Sequence, residues 1–217
     1  MSGVDPQFVG QRNSYEDGEL RRSDLRADPF DQLRAWLDDA VAAEVLEPTA
    51  MALATVDADG APDVRTLLAR QITANSIVFF TNYDSVKAQQ LAAHPVAAAT
   101  MGWLPLQRQV RFRGDVRTAS PQYCDEYFAG RPRASRIGAW ASPQSTPIAD
   151  RAELEMLVAE AEQRFEGTDV PRPAHWGGYE LVPTWFEFWQ GRSSRLHDRL
   201  TYQMTGEGVW QIQRLAP

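Results

Sequence analysis

Four potential cations lie close together near the end of the sequence, within EFWQGRSSRLHDRL at residues 187–200. They are Arg192, Arg195, His197 and Arg199. If this segment is extended, Arg195, His197 and Arg199 project from one face, because the side chains of a strand alternate with period two. Neighbouring positive charges repel each other unless an anion lies among them. The pattern therefore indicates an anion-binding surface. Trp189 lies next to it and either packs against the flat ring of a ligand or belongs to an ordinary core.

Further candidate anion contacts occur earlier in the chain. Lys87, the only lysine in the sequence, follows Ser85 at a predicted helix start, where free backbone N–H groups and the helix dipole favour a phosphate. Arg65 and Arg70 are five residues apart on a predicted strand, so they need not share a face. For each of these positions a solvated surface charge is the competing interpretation.

A third candidate group lies in YFAGRPRAS, which combines a tyrosine, two arginines and a serine. These side chains, which could form a cage around an oxyanion, are Tyr127, Arg131, Arg133 and Ser135. The planar guanidinium fork of arginine suits phosphate well. A solvated helix exit is the alternative. The neutral hydrogen-bonding residues Gln109, Gln144 and Ser145 carry no signal of their own.

The composition limits the kinds of site that these residues can form. The chain has 217 residues and a net charge of −7, which predicts a globular protein of one large or two small domains. Clustered arginines on an acidic chain indicate local anion sites rather than a nucleic-acid surface. The N-terminus is polar, and no stretch approaches the roughly 20 apolar residues of a membrane span. We therefore expect a cytoplasmic protein that binds neither nucleic acid nor membrane.

Metal and nucleophile chemistry have little support in the sequence. Cys124 is the only cysteine, which excludes an internal disulfide and a cysteine-based zinc site. His94 and His175 have no partners at metal-ligand spacing, so we expect no metal. The histidines and the cysteine form no recognisable nucleophile–base set. An enzyme built from these residues would therefore depend on a bound cofactor.

The first half of the chain alternates between helical and strand patterns. Residues 1–28 are polar and predict an arm with little core of its own. Asp28-Pro29 predicts a helix start, and apolar residues at helical spacing, including Val41, extend that helix to residue 45. The segments AMALATV, PDVRTLLARQI and SIVFFTN predict three strands joined by turns, and Ser85 is expected to cap a short helix.

The second half adds more strands and two further helices. VAAATMGW predicts a strand, and QRQVRFRGDVRTA alternates apolar residues with arginines as a half-buried antiparallel strand does. A helix is predicted from Ser120-Pro121 to about 129, GRPRASRIGAWASPQSTP is predicted as a long loop, and a helix spans 150–166. GYELVPTWFEFWQ, RLTYQMT and VWQIQRL predict the final strands. Antiparallel strands interrupted by helices indicate a barrel rather than a βαβ sheet.

Several sequence blocks resemble the pyridoxamine 5′-phosphate oxidase family. They are GELRRSDL, PTAMALATVD, FFTN with the following S-x-K, RPRAS-x-IGAW, the QS pair, WGGY, EFWQG, RLHDR and RLAP, and they run almost from end to end. The resemblance implies a mainly β fold with α+β elements, an FMN-binding split β-barrel of antiparallel strands with flanking helices, as a single domain over residues 29–217. It also implies a homodimer with FMN sites at the subunit interface, and an arm over residues 1–28 that can close over the active site.

The resemblance also implies roles for individual residues. Contacts to FMN fall on Arg65, Thr66, Leu67, Leu68, Phe80, Thr81, Ser85, Lys87, Gln109, Gln144, Ser145, Trp189 and Arg199. Contacts to the substrate fall on Arg12, Tyr15, Arg70, Tyr127, Arg131, Ser135, Arg195, Leu196 and His197. Within that second set, Arg195 and His197 match the pair that lies over the substrate ring and are the candidate catalytic residues.

The implied activity is the FMN-dependent oxidation of pyridoxamine or pyridoxine 5′-phosphate to pyridoxal 5′-phosphate, with O₂ as acceptor and H₂O₂ as a product. Two phosphorylated ligands bring about −1.5 to −2 charges each, which accounts for clustered arginines on an acidic chain. One alternative is a related flavin oxidase that acts on another reduced ring, such as a phenazine precursor. The other is a flavin- or pyridoxal-phosphate-binding protein without turnover.

A few positions depart from the family pattern or stand outside it. Val86 occupies a place where a basic residue often precedes the lysine, and Arg70 stands where lysine is common. Arg192 is expected at the plain surface. A second anion site is conceivable, with ordinary surface charge as the alternative, at Arg21, Arg22 and Arg214.

Overall fold

The computed structural model describes residues 18–217, so the predicted substrate contacts Arg12 and Tyr15 lie outside the described residues. Within that range the helices are α1 Pro29–Ala42, α2 Val86–Ala93, α3 Pro121–Ala129, α4 Arg133–Ala141 and α5 Arg151–Arg164. The strands are β1 Ala50–Val56, β2 Pro62–Leu68, β3 Gln71–Ile72, β4 Ile77–Asn82, β5 Val96–Trp103, β6 Arg108–Thr118, β7 Trp176–Gln190, β8 Asp198–Met204 and β9 Trp210–Leu215.

The strands form one sheet in the order β2-β1-β5-β6-β7-β4-β3, with β8 paired to β7 and β9 paired to β8. Antiparallel pairing joins β1 to β2, β4 to β7 and β7 to β8. The predicted mainly β fold of antiparallel strands with flanking helices is therefore confirmed. Among residues 18–217 no helix has the length and apolar character needed to cross a membrane.

The chain divides into two compact units. Of the described residues, one unit contains 18–48 together with Thr100–Phe112 and Trp185–Pro217, and the other contains Thr49–Ala99 and Arg113–Thr184. We call them the α1 unit and the cavity unit. Strands β5, β6 and β7 each contribute residues to both.

Aromatic side chains form the core of the α1 unit. The Phe30 ring packs edge-on against Phe186 at 5.1 Å between centroids, and Trp36 packs edge-on against Phe188 at 5.0 Å. Such pairs add about 0.5–1.5 kcal/mol beyond the burial of their area. Helix α1 can supply Phe30 and Trp36 to one side because its apolar residues recur at helical spacing.

The start of α1 follows the sequence prediction, and its end does not. The Asp28 carboxylate accepts a hydrogen bond from the Phe30 N–H at 2.7 Å, with Pro29 at the first helical position. The helix stops at Ala42 rather than at residue 45, because Glu44 adopts a left-handed φ of 52°. Val41 is 61% exposed, so its predicted place on the apolar face is wrong.

The segment PDVRTLLARQI was predicted as one strand, but it forms two with different partners. Strand β2 pairs with β1 as far as Leu68, and the Ala69 N–H still donates to the Thr49 carbonyl. The next N–H, that of Arg70, donates to the Val78 carbonyl of β4 at 2.8 Å. The chain changes partner between two consecutive residues, which no alternation of side chains in the sequence could reveal.

The predicted loop GRPRASRIGAWASPQSTP is the largest error, because Arg133–Ala141 within it is helix α4. Its Ile137 and Ala141 are buried in one cluster with Ala161 and Phe165 at the end of α5. A nine-residue helix is marginal in isolation, and packing of this kind is what stabilises it. The α5 prediction itself is confirmed, with helix over Arg151–Arg164.

Candidate functional site

A polar cavity of about 420 Å³ opens in the cavity unit, within the size range of small-molecule sites. It is lined by Leu68, Arg70, Phe80, Thr81, Asn82, Tyr127, Arg131, Ser135, Gly138, Ala139, Ser142, Gln144 and Trp176. Eight of these thirteen were predicted as flavin or substrate contacts. None of the described residues lining the cavity is an aspartate or glutamate, although two are arginines. The cavity therefore suits an anionic ligand.

Arg70 lines the cavity because of the change of partner between β2 and β4. Arg65 pairs with Leu53 where β2 runs beside β1. Arg70 lies after the change of partner, and its N–H donates to the Val78 carbonyl of β4. The two arginines are therefore positioned by different parts of the sheet. This agrees with the expectation that they need not share a face.

Three aromatic rings form one wall of the cavity. The rings of Phe80 and Tyr127 stack at 3.9 Å between centroids and 6° between planes, and Phe80 lies 5.2 Å from the Trp176 ring at 4°. Gly178, the cross-strand partner of Phe80, has no side chain, and a Cβ there would lie 2.9 Å from Phe80 Cε1. The WGGY sequence thus leaves room for Phe80 against the sheet.

Arg131 is the most unusual polar residue of the cavity. Its guanidinium lies 4.6 Å from the centroid of the Trp176 ring, and its Nη1 is buried without a hydrogen-bond partner among the described residues. Burial lowers the pKa of Arg131, and the nearby Arg70 lowers it further. A buried donor without an acceptor is costly, so this nitrogen is a natural contact for a bound anion.

Arg133, which was considered for the same oxyanion cage, points to another part of the cavity unit. Its Nη1 and Nη2 donate to the carbonyls of Thr168 and Phe165, at 2.8 and 2.6 Å. These two residues follow helix α5, and the carbonyl groups at the C-terminal end of a helix have no hydrogen-bond partners within the helix. Arg133 therefore closes a helix end, and its inclusion in the cage was wrong. Ser135 on α4 does line the cavity.

Lys87 lies beside the cavity, and within residues 18–217 its ammonium donates to three neutral oxygens. Its Nζ is 3.0 Å from Gln144 Oε1, 3.1 Å from Thr81 Oγ1 and 3.3 Å from Ser85 Oγ. Burial lowers its pKa, and the charge of Arg65 adds to that effect. A half-buried ammonium with neutral partners is a fitting contact for a phosphate.

Ser85 precedes α2 as predicted, but its hydroxyl does not cap the helix. It donates instead to the Asn82 carbonyl at 2.7 Å, and the side chain makes no cap hydrogen bond. The first N–H groups of α2 therefore remain available at the Lys87 end. Val86, at the first helical position, is 41% exposed.

Arg65 is held in place by a polar network at the β1–β2 ladder. Its Nη2 contacts the Asp63 carboxylate at 2.5 Å and Gln90 Oε1 at 3.0 Å, and its Nη1 donates to Thr55 Oγ1 at 2.5 Å. The pKa of Asp63 is lowered, first by a hydrogen bond from Gln90 and also by Arg65. The following predicted contacts, Thr66 and Leu67, continue strand β2.

The α1 unit holds three further predicted flavin contacts, whereas Ser145 lies in the cavity unit with a left-handed φ of 70°. Trp189 and Arg199 are cross-strand partners in the β7–β8 pair, so their side chains share a face of the sheet. Arg199 Nε and Nη2 donate to the two oxygens of Glu187, at 3.1 and 3.0 Å. Gln109 lies on β6, two residues before Arg111.

The alternation of three cations on one extended face, considered for residues 195–199, is wrong. Strand β7 ends at Gln190, β8 begins at Asp198, and the connection contains a short 3-10 turn over Ser193–Arg195. Ser194 and Arg195 take left-handed φ angles of 56° and 62°. The chain must reverse direction between the paired strands β7 and β8, and this turn makes the reversal. Arg195 and Leu196 are therefore exposed at the tip of the connection.

His197 is oriented by the backbone of Arg192. Its Nδ1 accepts a hydrogen bond from the Arg192 N–H at 3.1 Å, so the neutral ring carries its proton on Nε2. The His197 ring also lies 4.6 Å from the Trp189 ring. Arg192, predicted at the surface, has 37% of its side chain exposed and donates from Nη1 to the Gly18 carbonyl at 2.8 Å.

Two of the three arginines of the conceivable second anion site, Arg21 and Arg214, already have partners. Arg214 contacts the Asp198 carboxylate at 2.5 Å and the Leu20 carbonyl at 2.8 Å, and Arg21 pairs with Glu19 at 2.7 Å. Ion pairs within the protein therefore explain Arg21 and Arg214 without a bound anion. Leu20 itself is buried, so the described end of the predicted arm does contribute to a core.

Sequence reasoning missed five residues that line the cavity, namely Asn82, Gly138, Ala139, Ser142 and Trp176. Three of them lie on or beside α4, which the sequence did not reveal. Trp176 was visible within WGGY, but its contact with Arg131 depends on where β7 meets α3.

Comparison with known proteins gives consistent matches along the chain. A family model described as pyridoxamine 5′-phosphate oxidase matches residues 37–165, and one described as pyridoxine 5′-phosphate oxidase C-terminal dimerisation region matches residues 176–217. A pyridoxine/pyridoxamine 5′-phosphate oxidase of Bordetella petrii is 53% identical over 95% of this chain and 97% of its own. One of Synechocystis sp. is 48% identical over 100% of both chains.

Solved structures agree with the predicted split-barrel fold. The crystal structure of PhzG from Burkholderia lata 383, in complex with tetrahydrophenazine-1-carboxylic acid, aligns with a TM-score of 0.87 and 31% identity. The alignment covers 94% of this chain and 100% of that one. A pyridoxamine 5′-phosphate oxidase-related, FMN binding protein from Nostoc punctiforme aligns with a TM-score of 0.71 at 19% identity, over 89% of this chain and 100% of that one. That second match concerns the fold alone.

Proposed function

The chain belongs to the pyridoxamine 5′-phosphate oxidase family and is an oxidoreductase, and from that premise we propose that it oxidises pyridoxine or pyridoxamine 5′-phosphate with FMN and O₂. The alcohol and O₂ give pyridoxal 5′-phosphate and H₂O₂. The amine, O₂ and water give the same aldehyde, ammonia and H₂O₂. Both reactions remove two electrons and two protons from the substrate and transfer them to oxygen.

The observation that carries this proposal is Arg131, a residue lining the cavity whose buried Nη1 has no hydrogen-bond partner within residues 18–217. No aspartate or glutamate is among the described residues that line this cavity. A phosphate there would accept a charge-assisted hydrogen bond from Arg131, and further bonds from Arg70, Tyr127 and Ser135, all of which line the cavity. The parallel rings of Phe80 and Trp176 would exclude water on one side.

Lys87 fits a second phosphate, that of FMN. Its Nζ donates to the neutral oxygens of Thr81, Ser85 and Gln144, and it lies in the N-terminal turn of α2, where the free N–H groups also favour an anion. Arg65, Ser85, Thr81 and Gln144 would complete the set around it. Bound FMN supplies a two-electron acceptor that oxygen can reoxidise.

The chain's own residues would bind and orient the reactants. Trp189 and Arg199 share a sheet face that could lie along a flavin ring, with Gln109, Ser145 and residues 66–68 as further contacts. Arg195 and His197 would lie over the substrate. Because His197 carries its proton on Nε2, that nitrogen could donate a hydrogen bond to the substrate's oxygen or nitrogen.

We also propose a homodimer with the flavin sites at the subunit interface. This is supported by the match of residues 176–217 to the family model described as a C-terminal dimerisation region. That region includes Trp189, Arg195, His197 and Arg199, so the segment expected at the interface also carries predicted site residues. Sedimentation of the full chain with and without FMN, with the flavin content per dimer, tests this.

The test of the activity is an assay of the purified full chain with FMN and pyridoxine 5′-phosphate, in which aldehyde and H₂O₂ are measured together. We expect both products in equal amounts, and far slower turnover with pyridoxine, which lacks the phosphate. No aldehyde at saturating substrate would overturn the proposal. Faster turnover of a reduced phenazine carboxylate than of the phosphorylated substrate would favour the phenazine-type alternative.

A further inference from the structure

Glu187 is a buried carboxylate that binds two arginines at once. It lies on β7 between Trp185 and Trp189, and only 2% of its side chain is exposed. Arg199 approaches both carboxylate oxygens, at 3.1 and 3.0 Å, and Arg111 Nη2 lies 2.6 Å from Oε2. The Arg111 guanidinium also lies 5.5 Å from the centroid of the Trp185 ring.

Burial and hydrogen bonding act on Glu187 in opposite directions. Burial alone raises the pKa of this carboxyl, but the bonds from Arg199 and Arg111 outweigh it and leave the pKa below its ordinary value. Glu187 is therefore ionised. An ionised carboxylate that is buried and bonded to two guanidinium groups has little freedom, so it restricts Arg199 in turn. The Ala216 carbonyl adds to that restriction, because it accepts a hydrogen bond from Arg199 Nη1 at 2.9 Å.

The charges of the three side chains do not cancel. Two guanidinium groups and one carboxylate leave the cluster with one positive charge. With Glu187 and Arg199 alone, the cluster would be neutral and would attract an anionic or electron-rich ligand less. Arg111 thus allows Arg199 to be fixed by a carboxylate while the surface stays positive.

We propose that Glu187 is a positioning residue that holds the Arg199 guanidinium for contact with the flavin, and that Arg111 preserves the positive charge of the cluster. The inference rests on the proposed function, because Arg199 is a flavin contact only if FMN binds. It adds two residues, Glu187 and Arg111, that were not among the predicted contacts.

Charge-matched variants separate positioning from charge. Glu187→Gln raises the cluster charge to two, Arg111→Met lowers it to zero, and the double variant Glu187→Gln/Arg111→Met restores the single positive charge without the carboxylate. FMN affinity is measured by titrating the flavin-free full chain and following flavin fluorescence. We expect roughly tenfold weaker FMN binding in Glu187→Gln and in the double variant, because a charge-assisted contact is misplaced in both.

A double-mutant cycle tests whether Glu187 acts through Arg199. In an Arg199→Met background, Glu187→Gln should cause no further loss of FMN affinity. At saturating FMN, the visible absorption band of the bound flavin should shift in Glu187→Gln as it does in Arg199→Met, a signature that a merely structural role would not produce. Glu180→Gln, which removes the partner of Arg117, is the matched control and should leave affinity and spectrum unchanged.

The inference is overturned if the double variant binds FMN as the unaltered chain does, or if Glu187→Gln binds it more tightly, since charge alone would then explain the cluster. Where Glu187→Gln does not fold, Glu187→Asp carries the test: it keeps the charge but cannot reach both arginines, and unchanged affinity would contradict positioning. Failure of the unaltered chain to bind FMN would instead overturn the proposed function.

Discussion

The Arg131 guanidinium lies over the Trp176 ring, 4.6 Å from its centroid, while its buried Nη1 donates to no acceptor among the described residues. Arg131 is one of the residues that line the cavity, and stacking on the indole fixes the direction of its guanidinium. We expect Arg131→Met to raise the KM for pyridoxine 5′-phosphate by roughly 10- to 100-fold, the worth of a hydrogen bond to a charged group. Steady-state kinetics at fixed, saturating FMN measure this.

Arg133→Met is the matched control for Arg131, because the two arginines are separated only by Pro132. Arg133 bonds the carbonyls at the end of α5, so its loss should lower the melting temperature and leave KM unchanged. An equal rise of KM in both variants would contradict the assignment of Arg131 to the substrate phosphate.

Lys87→Met should weaken FMN binding by roughly 10- to 100-fold and leave riboflavin binding almost unchanged, because the lost interaction is with the phosphate. Since burial lowers the pKa of Lys87 below its ordinary value of 10.5, FMN affinity should also fall on the alkaline side as the ammonium loses its proton. Fluorescence titrations across alkaline pH measure both effects.

Lys87→Arg supplies the control for that pH dependence, since a guanidinium stays charged throughout. The alkaline fall in FMN affinity should disappear in this variant even if its affinity at neutral pH is lower. Persistence of the fall would show that another group causes it.

Asp63→Asn should tighten FMN binding up to about fivefold, because the exposed carboxylate now competes with a phosphate for Arg65 and such pairs are worth about 0–1 kcal/mol. The pair is close, at 2.5 Å, and Asp63 has half of its side chain exposed. Asp59→Asn, in the same hairpin, changes the net charge equally and should have no effect. Weaker binding in Asp63→Asn would mean that Asp63 orients Arg65 instead.

Val86→Arg should tighten FMN binding by roughly tenfold at most, because it adds a cation beside Lys87 at the first position of α2. The side chain is 41% exposed, so an arginine can be accommodated there. Ala92→Arg adds the same charge at the far end of α2 and controls for net charge. Equal affinity in the two variants would show that position 86 does not face the phosphate.

Arg195→Ala should lower kcat/KM on the order of 100-fold through lost positioning while changing FMN affinity little. Arg195 lies in the exposed turn before β8 with a φ of 62°, so the melting temperature must be compared as well. Arg195→Lys, which keeps the charge, should recover part of the turnover. Equal losses in turnover and FMN affinity would contradict the placement of Arg195 over the substrate.

Local signals in the sequence predicted most elements correctly. Strand β6 alternates Val110, Phe112 and Val116 with arginines, and all three apolar residues are buried. The capping residues Asp28 and Ser120 both accept the expected backbone hydrogen bonds. Such features depend only on neighbouring residues, so a single sequence can carry them.

Elements that depend on distant partners escaped prediction. Helix α4 is stabilised by packing of Ile137 and Ala141 against α5, and its sequence alone, with a glycine and flanking prolines, indicated a loop. The turn at Ser193–Arg195 arises from the pairing of β7 with β8. In both cases the deciding contacts are made between two different elements of secondary structure, so the sequence within one element does not reveal them.

The sequence by itself determined three features of this protein. The chain is acidic with clustered arginines, its single lysine lies at a helix start, and its apolar residues alternate along strands that form a sheet. Only the tertiary structure decided which cations are available to a ligand. Arg133, Arg192 and Arg214 are bound to backbone carbonyls or acids, whereas Arg131 has a buried nitrogen with no partner in the part of the chain that the structure describes. That difference arises because the availability of a charge depends on burial and neighbours in space, which adjacent residues in a sequence do not encode.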